Sequence, residues 1–390
     1  SWSAYGQWSD TDQIVDEVRA AAGPTPAVNR RGTLGYTQAS IGGTLQGRKA
    51  LVRGQQSVLL TFGTAHKRHT FDMLRDRLDL NAVTGAIVPP TGGLILPSKY
   101  FPRSVVGETG TYAQAEMRLG RLMLVPGVRY DRFTLDADEA DPVFLATMSP
   151  TPADFAAGAL STKLGASFRA APAITIHGQW AEGFRAPPYS AVNSGFTNLV
   201  GGYTSVPNTA LDAETSQNVE GGVRASLRRV SVGVTGFYNH YDNFIDQVAR
   251  GMNPTTRLLE YQYQNFADVE IRGIELQGDA QLRPTLRLRA SYAAIRGDNT
   301  SGGTSVPLNS VAPNQGAVGL AYTDRTNRWG TDLTVRAARG QSPATAGTGL
   351  FAPASFAVAD LTAWTAITRT WMARVGVLNL ANARYFEWTN

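Results

Sequence analysis

Residues 286–292 read Leu-Arg-Leu-Arg-Ala-Ser-Tyr, and this alternation decides the fold class. Successive side chains of a β-strand point to opposite faces, so one face of this stretch is apolar and the other is polar. One face suits lipid and the other suits water. The same pattern recurs at residues 230–235 and 332–337. It predicts that Leu286, Leu288, Val232, Val234, Leu333 and Val335 face outward, while Arg287, Arg289, Asp332 and Arg336 face inward.

The composition fits a membrane barrel better than a soluble domain. The 390 residues include 40 Gly, 7 Trp, 14 Tyr and 15 Phe, with only 17% charged residues and a mean hydropathy of -0.18. No stretch reaches the run of about 18 apolar residues that a transmembrane helix needs, so a helical membrane protein is excluded. The absence of cysteine excludes a disulfide framework and thiolate zinc sites. The arginines are scattered singly, which excludes a nucleic-acid partner.

The predicted connections alternate between short and long. Barrels of the bacterial outer membrane have short turns on one side and long loops outside the cell. The sequence therefore predicts an all-β fold, a transmembrane antiparallel up-and-down β-barrel. Short turns are expected near 120, 171–172, 228–229, 283–284, 324–327 and 368–370, and long loops at 76–104, 138–157, 185–212, 249–257, 297–312 and 340–354.

The strand pattern gives roughly fifteen strands over residues 1–390. Single-chain bacterial barrels close with an even number, so an incomplete barrel is expected. The final segment, Trp371 to Trp388, is predicted to be an outward-going strand that lacks its returning partner. A propeller is the alternative with many short strands, but the sequence has no fixed-period repeat to support it.

Five segments, in order, resemble the barrel of TonB-dependent receptors, over about Thr109 to Trp388. Five such matches in the family's order are far more specific than one. They are Gly127 to Asp131 (GVRYD), Gly183 to Pro187 (GFRAP), Leu211 to Ser216 (LDAETS), Asn265 to Glu275 (NFADVEIRGIE) and Gly376 to Tyr385 (GVLNLANARY).

The resemblance implies a barrel of about 22 strands with an N-terminal plug. On that comparison, residues 1–390 form one partial barrel domain, and the plug, the early strands and the last strand are missing. It implies a receptor in the bacterial outer membrane, surrounded by lipid and lipopolysaccharide. Such a receptor has no enzymatic chemistry, and the TonB-ExbB-ExbD complex energises it through the plug. The resemblance further implies import of a scarce ligand that is iron-bearing or similarly large.

The stretch after the GFRAP segment is similar to the haem-receptor branch. In that branch, a FRAP box and an NPDL box bracket an outer loop that touches haem, and residues 188–208 occupy the corresponding place. At the position of the NPDL box, this sequence keeps the outer residues as Asn208 and Leu211 and lacks the Pro and the Asp. Residues 307–313 are also similar to that branch. This implies haem or a haem protein as the transported ligand, with no intrinsic cofactor. A ferric-siderophore receptor and, in a different class, a passive porin remain alternatives.

The loop from Arg185 to Leu211 contains no histidine, which directs attention to Tyr203. A tyrosine phenolate is an established haem-iron ligand, so Tyr203 is the candidate metal ligand. The competing interpretation is that Tyr203 packs against neighbouring aromatic rings. The other candidate haem-loop residues are Arg185, Tyr189, Asn193 and Phe196, and the alternative haem ligands are His66, His69 and His240.

Arg185 also has a structural interpretation, since an arginine at the top of a barrel wall usually pairs with carboxylates, here Glu182, Glu214 or Glu220. The acids at 136–141 have the look of a calcium loop but are expected to be solvated. No nucleophile elbow or phosphate loop is present, which predicts that the protein is not an enzyme.

Overall fold

A computed structural model describes residues 1–23, 25–54, 56–90, 94–147, 151–193, 195–198, 201–340 and 352–388. Nearly all the regular structure is extended. The elements are β1 (Trp2–Arg19), β2 (Val28–Arg53), β3 (Gln56–Asn81), β4 (Ser104–Leu119), β5 (Leu122–Ala137), α1 (Pro142–Thr147), β6 (Phe155–Ala171), β7 (Ile174–Arg185), α2 (Tyr189–Val192), β8 (Phe196–Asn198), β9 (Tyr203–Val206), β10 (Glu214–Ser226), β11 (Val230–Met252), β12 (Leu259–Arg283), β13 (Leu286–Asn299), β14 (Val306–Pro307), β15 (Gln315–Thr323), β16 (Trp329–Ala338), β17 (Phe356–Ala366) and β18 (Met372–Val377).

Fifteen of these strands, within the described ranges, form one antiparallel ladder. It runs in chain order from β1 to β7, continues from β10 to β13, and ends with β15 to β18. The short strands lie beside this wall: β8 and β9 form a hairpin whose β9 pairs parallel with β12, and β14 pairs with β13. The predicted all-β up-and-down architecture is confirmed. In the described residues, no helix is long and apolar enough to cross a membrane.

The two faces of the wall follow the predicted alternation. Val232 and Val234 pair with Gly278 and Leu276 on one face, and many large apolar side chains on that face are exposed. Ion pairs lie on the opposite face, where Arg287 meets Asp279 and Arg289 meets Asp332. A polar lumen and an apolar exterior account for this division, because lipid faces only the outside of such a wall.

The short turns lie where the sequence predicts them, but several strands run further than expected. Gly120 adopts φ 65° between β4 and β5, a conformation that glycine tolerates without strain. At the long-loop side, β3 continues to Asn81, although a loop was predicted from residue 76. Both β2 and β3 have 26 residues, whereas a membrane-spanning strand needs about 9–11. Their upper ends therefore extend beyond the outer leaflet. The predicted 340–354 loop lies mostly outside the described residues.

The prediction of a strand from Trp371 to Trp388 is wrong beyond Val377. Asn379 and Asn382 adopt positive φ values of 52° and 47°, and the Asn379 side chain exchanges hydrogen bonds with Ala383. Asparagine tolerates this left-handed conformation, so the chain turns away from the ladder. The Tyr385 ring then packs against Phe356, and its hydroxyl accepts a hydrogen bond from Arg336.

Candidate ligand-binding site at the barrel mouth

The connection between β7 and β10 is packed into the mouth of the wall. Ala191 and Val192 of α2 are fully buried, together with Leu211 at the end of the connection. They pack against lumen-side residues of three strands, including Val106, Leu135 and Ile245. Burial of these apolar side chains anchors the connection, at roughly 1.5–3 kcal/mol for each large side chain. The described residues of the candidate haem loop therefore form part of the inner surface.

Arg185 ties this connection to the wall. Its Nη2 donates to Glu214 Oε2 at 2.9 Å and to the Ile245 carbonyl at 3.1 Å. The same Glu214 oxygen accepts the Ile245 N–H at 3.0 Å. Among the three expected partners, the structure selects Glu214, because Arg185 and Glu214 are paired across β7 and β10. Glu182 instead accepts two hydrogen bonds from Thr162. The Arg185 side chain stays 52% exposed, so it also borders the mouth.

Asn193 and Tyr189 support the loop from within. The buried Asn193 amide donates to the Ala153 carbonyl and accepts the Ala153 N–H, which satisfies both ends of the amide. The Tyr189 ring stacks on Phe71 at 4.1 Å, and its hydroxyl hydrogen-bonds Tyr36 at 3.0 Å. Burial raises the pKa of Tyr189, with the Tyr36 hydrogen bond adding to the effect. The stacked ring and the hydroxyl bond to Tyr36 give Tyr189 a packing role in the loop.

Tyr203 and Phe196 belong to a row of aromatic rings on the β8–β9 hairpin and its neighbours. The Tyr203 ring meets Phe196 and Tyr261 edge-on, each at 5.8 Å between centroids. Phe196 in turn contacts Tyr100 at 4.5 Å. Within the described residues, the Tyr203 hydroxyl has no hydrogen-bond partner. Packing thus fixes the ring, and its oxygen is free to meet a ligand.

The retained residues of the second box hold the other end of the loop. The Asn208 amide donates to the Tyr263 carbonyl at 2.8 Å, and Leu211 lies in the buried cluster. The Asn208 contact is to strand β12 and the Leu211 contact is to the buried cluster at the mouth. Both residues therefore position the loop.

The three alternative histidines lie on different faces. His69 is on the lumen side, where its Nδ1 hydrogen-bonds Ser40 at 2.7 Å and its ring stacks near Phe71. His66 shares the outward face of β3 with the exposed Phe62. His240 shares the outward face of β11 with Val234 and lies 3.6 Å from Asp242 and 3.4 Å from Asp268. Of the three, only His69 faces the lumen.

Sequence reasoning missed a group of arginines on the lumen face of β1, β2 and β3. Arg19, Arg30, Arg75 and Arg77 line a cavity of about 210 Å³, which Tyr100 also borders. The signal was the alternation of residues 75–79, Arg-Asp-Arg-Leu-Asp, which continues β3 past the expected start of the loop. Because the predicted loop begins at residue 76, the face that Arg75 shares with Arg77 and Asp79 is not apparent from the sequence.

The acidic stretch at 136–141 is organised by a lysine. Lys99 Nζ lies 2.7 Å from both Asp72 and Asp141, and the Asp141 side chain is only 3% exposed. Asp141 also accepts backbone hydrogen bonds from Arg103, Val143 and Phe144. In the described residues, no group of three or more acids and histidines is arranged to hold a metal ion. The stretch is a structural tie between two long loops.

A many-stranded antiparallel wall with an apolar exterior, a polar lumen and a loop packed into its mouth defines an integral outer-membrane barrel. A model of the family described as TonB dependent receptor-like, beta-barrel, matches residues 1–380. The chain therefore belongs to the TonB-dependent receptor family. It is a receptor barrel of the outer membrane and not an enzyme.

Several haemoglobin receptors are similar to this chain in sequence. Hemoglobin-haptoglobin utilization protein B of Neisseria meningitidis serogroup C is 23% identical over 303 residues, covering 69% of this chain and 37% of that protein. Hemoglobin-haptoglobin-binding protein A of Haemophilus influenzae is 23% identical over 237 residues, covering 55% of this chain and 22% of that protein. The chain thus spans well under half the length of these relatives.

Solved structures share the fold at low identity. The copper transporter OprC gives a TM-score of 0.74 at 18% identity, covering 99% of this chain and 57% of that one. The Serratia marcescens hemophore receptor HasR, in complex with its hemophore HasA and heme, gives 0.68 at 16%, covering 99% and 64%. The Pseudomonas aeruginosa ferripyoverdine receptor gives 0.65 at 16%, covering 98% and 50%. Since these receptors have different ligands, structural likeness shows the fold alone.

Proposed function

We propose that this protein binds haem or a haem protein at its extracellular loops and imports haem through the barrel. The observation that carries the proposal is the loop between β7 and β10. It is folded into the mouth by Ala191 and Val192, and it presents Tyr203 with its hydroxyl free of protein partners in the described residues. The names of the sequence relatives support the same ligand class.

Active import requires an energy source, because a tightly bound ligand does not leave its site and cross the membrane by itself. Family membership implies TonB energisation, and we propose that the TonB-ExbB-ExbD complex acts on the full-length receptor through a plug domain. Haem is then transported ligand, and no intrinsic cofactor is needed. Outer-membrane lipid and lipopolysaccharide surround the apolar exterior.

A ferric-siderophore receptor is the second candidate, favoured by the structural likeness to the ferripyoverdine receptor. Spectroscopic titration of the purified full-length receptor distinguishes the two candidates. Haem binding with a new Soret band supports the proposal. Binding of a ferric siderophore without haem binding replaces it with the second candidate.

A passive porin is the alternative from a different class, and liposome swelling tests it. We expect liposomes containing the full-length receptor to show no permeation by small sugars, because the loop between β7 and β10 fills part of the mouth. A known porin in the same lipid serves as the control. Free sugar permeation would contradict the receptor proposal.

Tyr203→Phe tests the iron ligand. The substitution keeps the ring that packs between Phe196 and Tyr261 and removes only the oxygen, so the loop should stay in place. We expect weaker haem binding and a shifted Soret band, since a tyrosinate ligand to ferric haem is lost. Tyr189→Phe is the matched control, because the Tyr189 hydroxyl contacts Tyr36 and should not meet iron. Unchanged spectra and affinity for Tyr203→Phe would assign the tyrosine to packing alone.

The histidine variants test the position of the site. We expect His66→Ala and His240→Ala to leave the haem spectrum unchanged, because both side chains lie on the outward face of their strands. His69→Ala is the informative comparison, as His69 faces the lumen beside the aromatic cluster. The measurement is the absorption spectrum of the haem-loaded receptor. A spectral change in either outward variant, with His69→Ala silent, would place the ligand outside the lumen.

A further inference from the structure

The cavity on the lumen face of β1, β2 and β3 has more positive than negative charge. Its lining includes Arg19, Arg30, Arg75 and Arg77 together with Glu17 and Asp76, and Asp79 lies beside Arg30 and Arg77. Arg30 binds Asp79 through two hydrogen bonds of 2.8 Å, and Arg19 binds Glu17 at 2.8 Å. Asp76 accepts the Arg77 backbone N–H, so four guanidinium groups and three carboxylates leave one positive charge in excess.

Arg75 and Arg77 are the guanidinium groups that these carboxylates neutralise least. The Arg77 Nε lies 3.4 Å from an Asp79 oxygen that Arg30 already occupies, and the Arg77 side chain is 13% exposed. Arg75 has no acidic partner in the described part of the chain. Its guanidinium instead lies 5.8 Å from the centroid of the Phe196 ring. Two incompletely neutralised guanidinium groups in a confined, partly buried space favour an anion, because charges interact more strongly away from bulk water.

Aromatic groups adjoin the same cavity. Tyr100 borders it and contacts Phe196, which in turn contacts Tyr203. The cavity therefore lies at one end of the aromatic row and the Tyr203 hydroxyl at the other. Guanidinium groups recognise carboxylates in a bidentate geometry, and aromatic faces accept a planar apolar ring. A ligand with a flat apolar body and carboxylates along one edge matches this order of groups.

We propose that Arg75 and Arg77 bind the carboxylates of the transported ligand while the aromatic row contacts its planar body. The inference rests on the proposed function, since it takes a porphyrin dicarboxylate as the ligand. It also explains why the protein gives Arg75 no acidic partner in the described residues and leaves Arg77 to share Asp79 with Arg30.

The test compares porphyrins with and without free carboxylates on the purified full-length receptor. Metal-free protoporphyrin IX is used beside its dimethyl ester, so that iron ligation does not contribute. We expect Arg75→Gln to weaken protoporphyrin IX binding about tenfold, which corresponds to loss of one charge-assisted hydrogen bond. Binding of the dimethyl ester should stay the same. Arg77→Gln should act in the same direction.

Arg287→Gln is the control, because Arg287 is a lumen-side arginine paired with Asp279 and far from the mouth along the wall. Arg75 makes no ion pair in the described residues, so Arg75→Gln should assemble normally, and its outer-membrane level is measured alongside. Equal losses for the acid and the ester would overturn the inference, as would equal effects of Arg75→Gln and Arg287→Gln.

A second experiment tests the proposed anion site independently of the proposed haem ligand. Phenylglyoxal modifies arginines, and mass spectrometry reports the rate at each position. We expect millimolar glutarate, a simple dicarboxylate, to slow modification of Arg75 and Arg77 but not of Arg287. If no porphyrin binds but glutarate protects, the haem proposal fails and the anion site stands. If porphyrin binds and glutarate gives no protection, the anion site is rejected.

Discussion

Val234→Arg is expected to destabilise the barrel by about 2–4 kcal/mol, the cost of an arginine on the lipid face near the bilayer midplane. Val234 lies on the outward face of β11, between Val223 of β10 and Leu276 of β12. Four residues further along, Tyr238 on the same face donates to Glu270, which is consistent with the membrane interface at that level. Val234 is therefore inside the apolar band, where an arginine has no water and no carboxylate partner.

Thr235→Arg is the matched control, one residue along the same strand. Thr235 faces the lumen, where it pairs with Glu275 of β12, so an arginine there can meet water and a carboxylate. Denaturant unfolding of the full-length receptor in lipid vesicles measures both variants. We expect a small change for Thr235→Arg. Equal destabilisation at the two positions would show that the faces of β11 are misassigned.

The sequence was sufficient to predict the wall because a strand in this environment has a strict period of two. Val232 and Val234 are apolar and favour lipid, whereas Arg287 is charged and favours water. A few consecutive residues of each strand are therefore enough to assign its two faces. The short turns were predictable for a related reason, since Gly120 and Asn327 mark positions that require a left-handed conformation. These signals are local, so a single sequence contains them.

The packing at the mouth depends on contacts between distant parts of the chain, and a single sequence does not reveal those. Tyr189 stacks on Phe71 of β3, and Asn193 binds the backbone of Ala153. Both were predicted as ligand-binding residues because they lie in a loop with family resemblance. These contacts hold the loop in place, and ligand contact by Tyr189 or Asn193 stays a prediction. Tyr203 stays a candidate, since its ring is packed while its hydroxyl lacks a partner in the described residues.

Asp141→Ala is expected to lower the free energy of local opening of the long loops by about 3 kcal/mol. This is within the range for removing one partner of a buried, hydrogen-bonded charge pair. The substitution removes the Lys99 ion pair and the acceptor for the N–H groups of Arg103, Val143 and Phe144. Lys99 keeps Asp72 as a partner, which limits the loss. Hydrogen exchange at the Phe144 amide measures the local opening. Glu139→Ala is the control, as Glu139 is an exposed acid two residues away.

The same pair makes the loops sensitive to extremes of pH. Burial acts to raise the pKa of Asp141, but hydrogen bonds from Lys99 and from backbone N–H groups outweigh it, and the pKa is lowered. Burial acts to lower the pKa of Lys99, and its hydrogen bonds to Asp141 and Asp72 reverse this, so the pKa is raised. The stabilisation from Asp141 is complete above the unfolded pKa of about 4 and is lost as pH falls through the lowered value. The stabilisation from Lys99 is complete below the unfolded pKa of about 10.4 and is lost as pH rises through the raised pKa of the folded state.

Protection of the Phe144 amide, corrected for the intrinsic exchange rate, should therefore be constant between about pH 5 and pH 9 and should fall on either side. In Asp141→Asn, the acid-side loss between about pH 4 and the lowered pKa should disappear, because the titrating carboxyl is gone. Asn keeps a side-chain oxygen for the backbone N–H groups, so its protection at neutral pH should lie between those of the wild type and Asp141→Ala. An unchanged acid-side loss in Asp141→Asn would assign the pH sensitivity to another carboxylate, with Asp72 the first to test because it also binds Lys99.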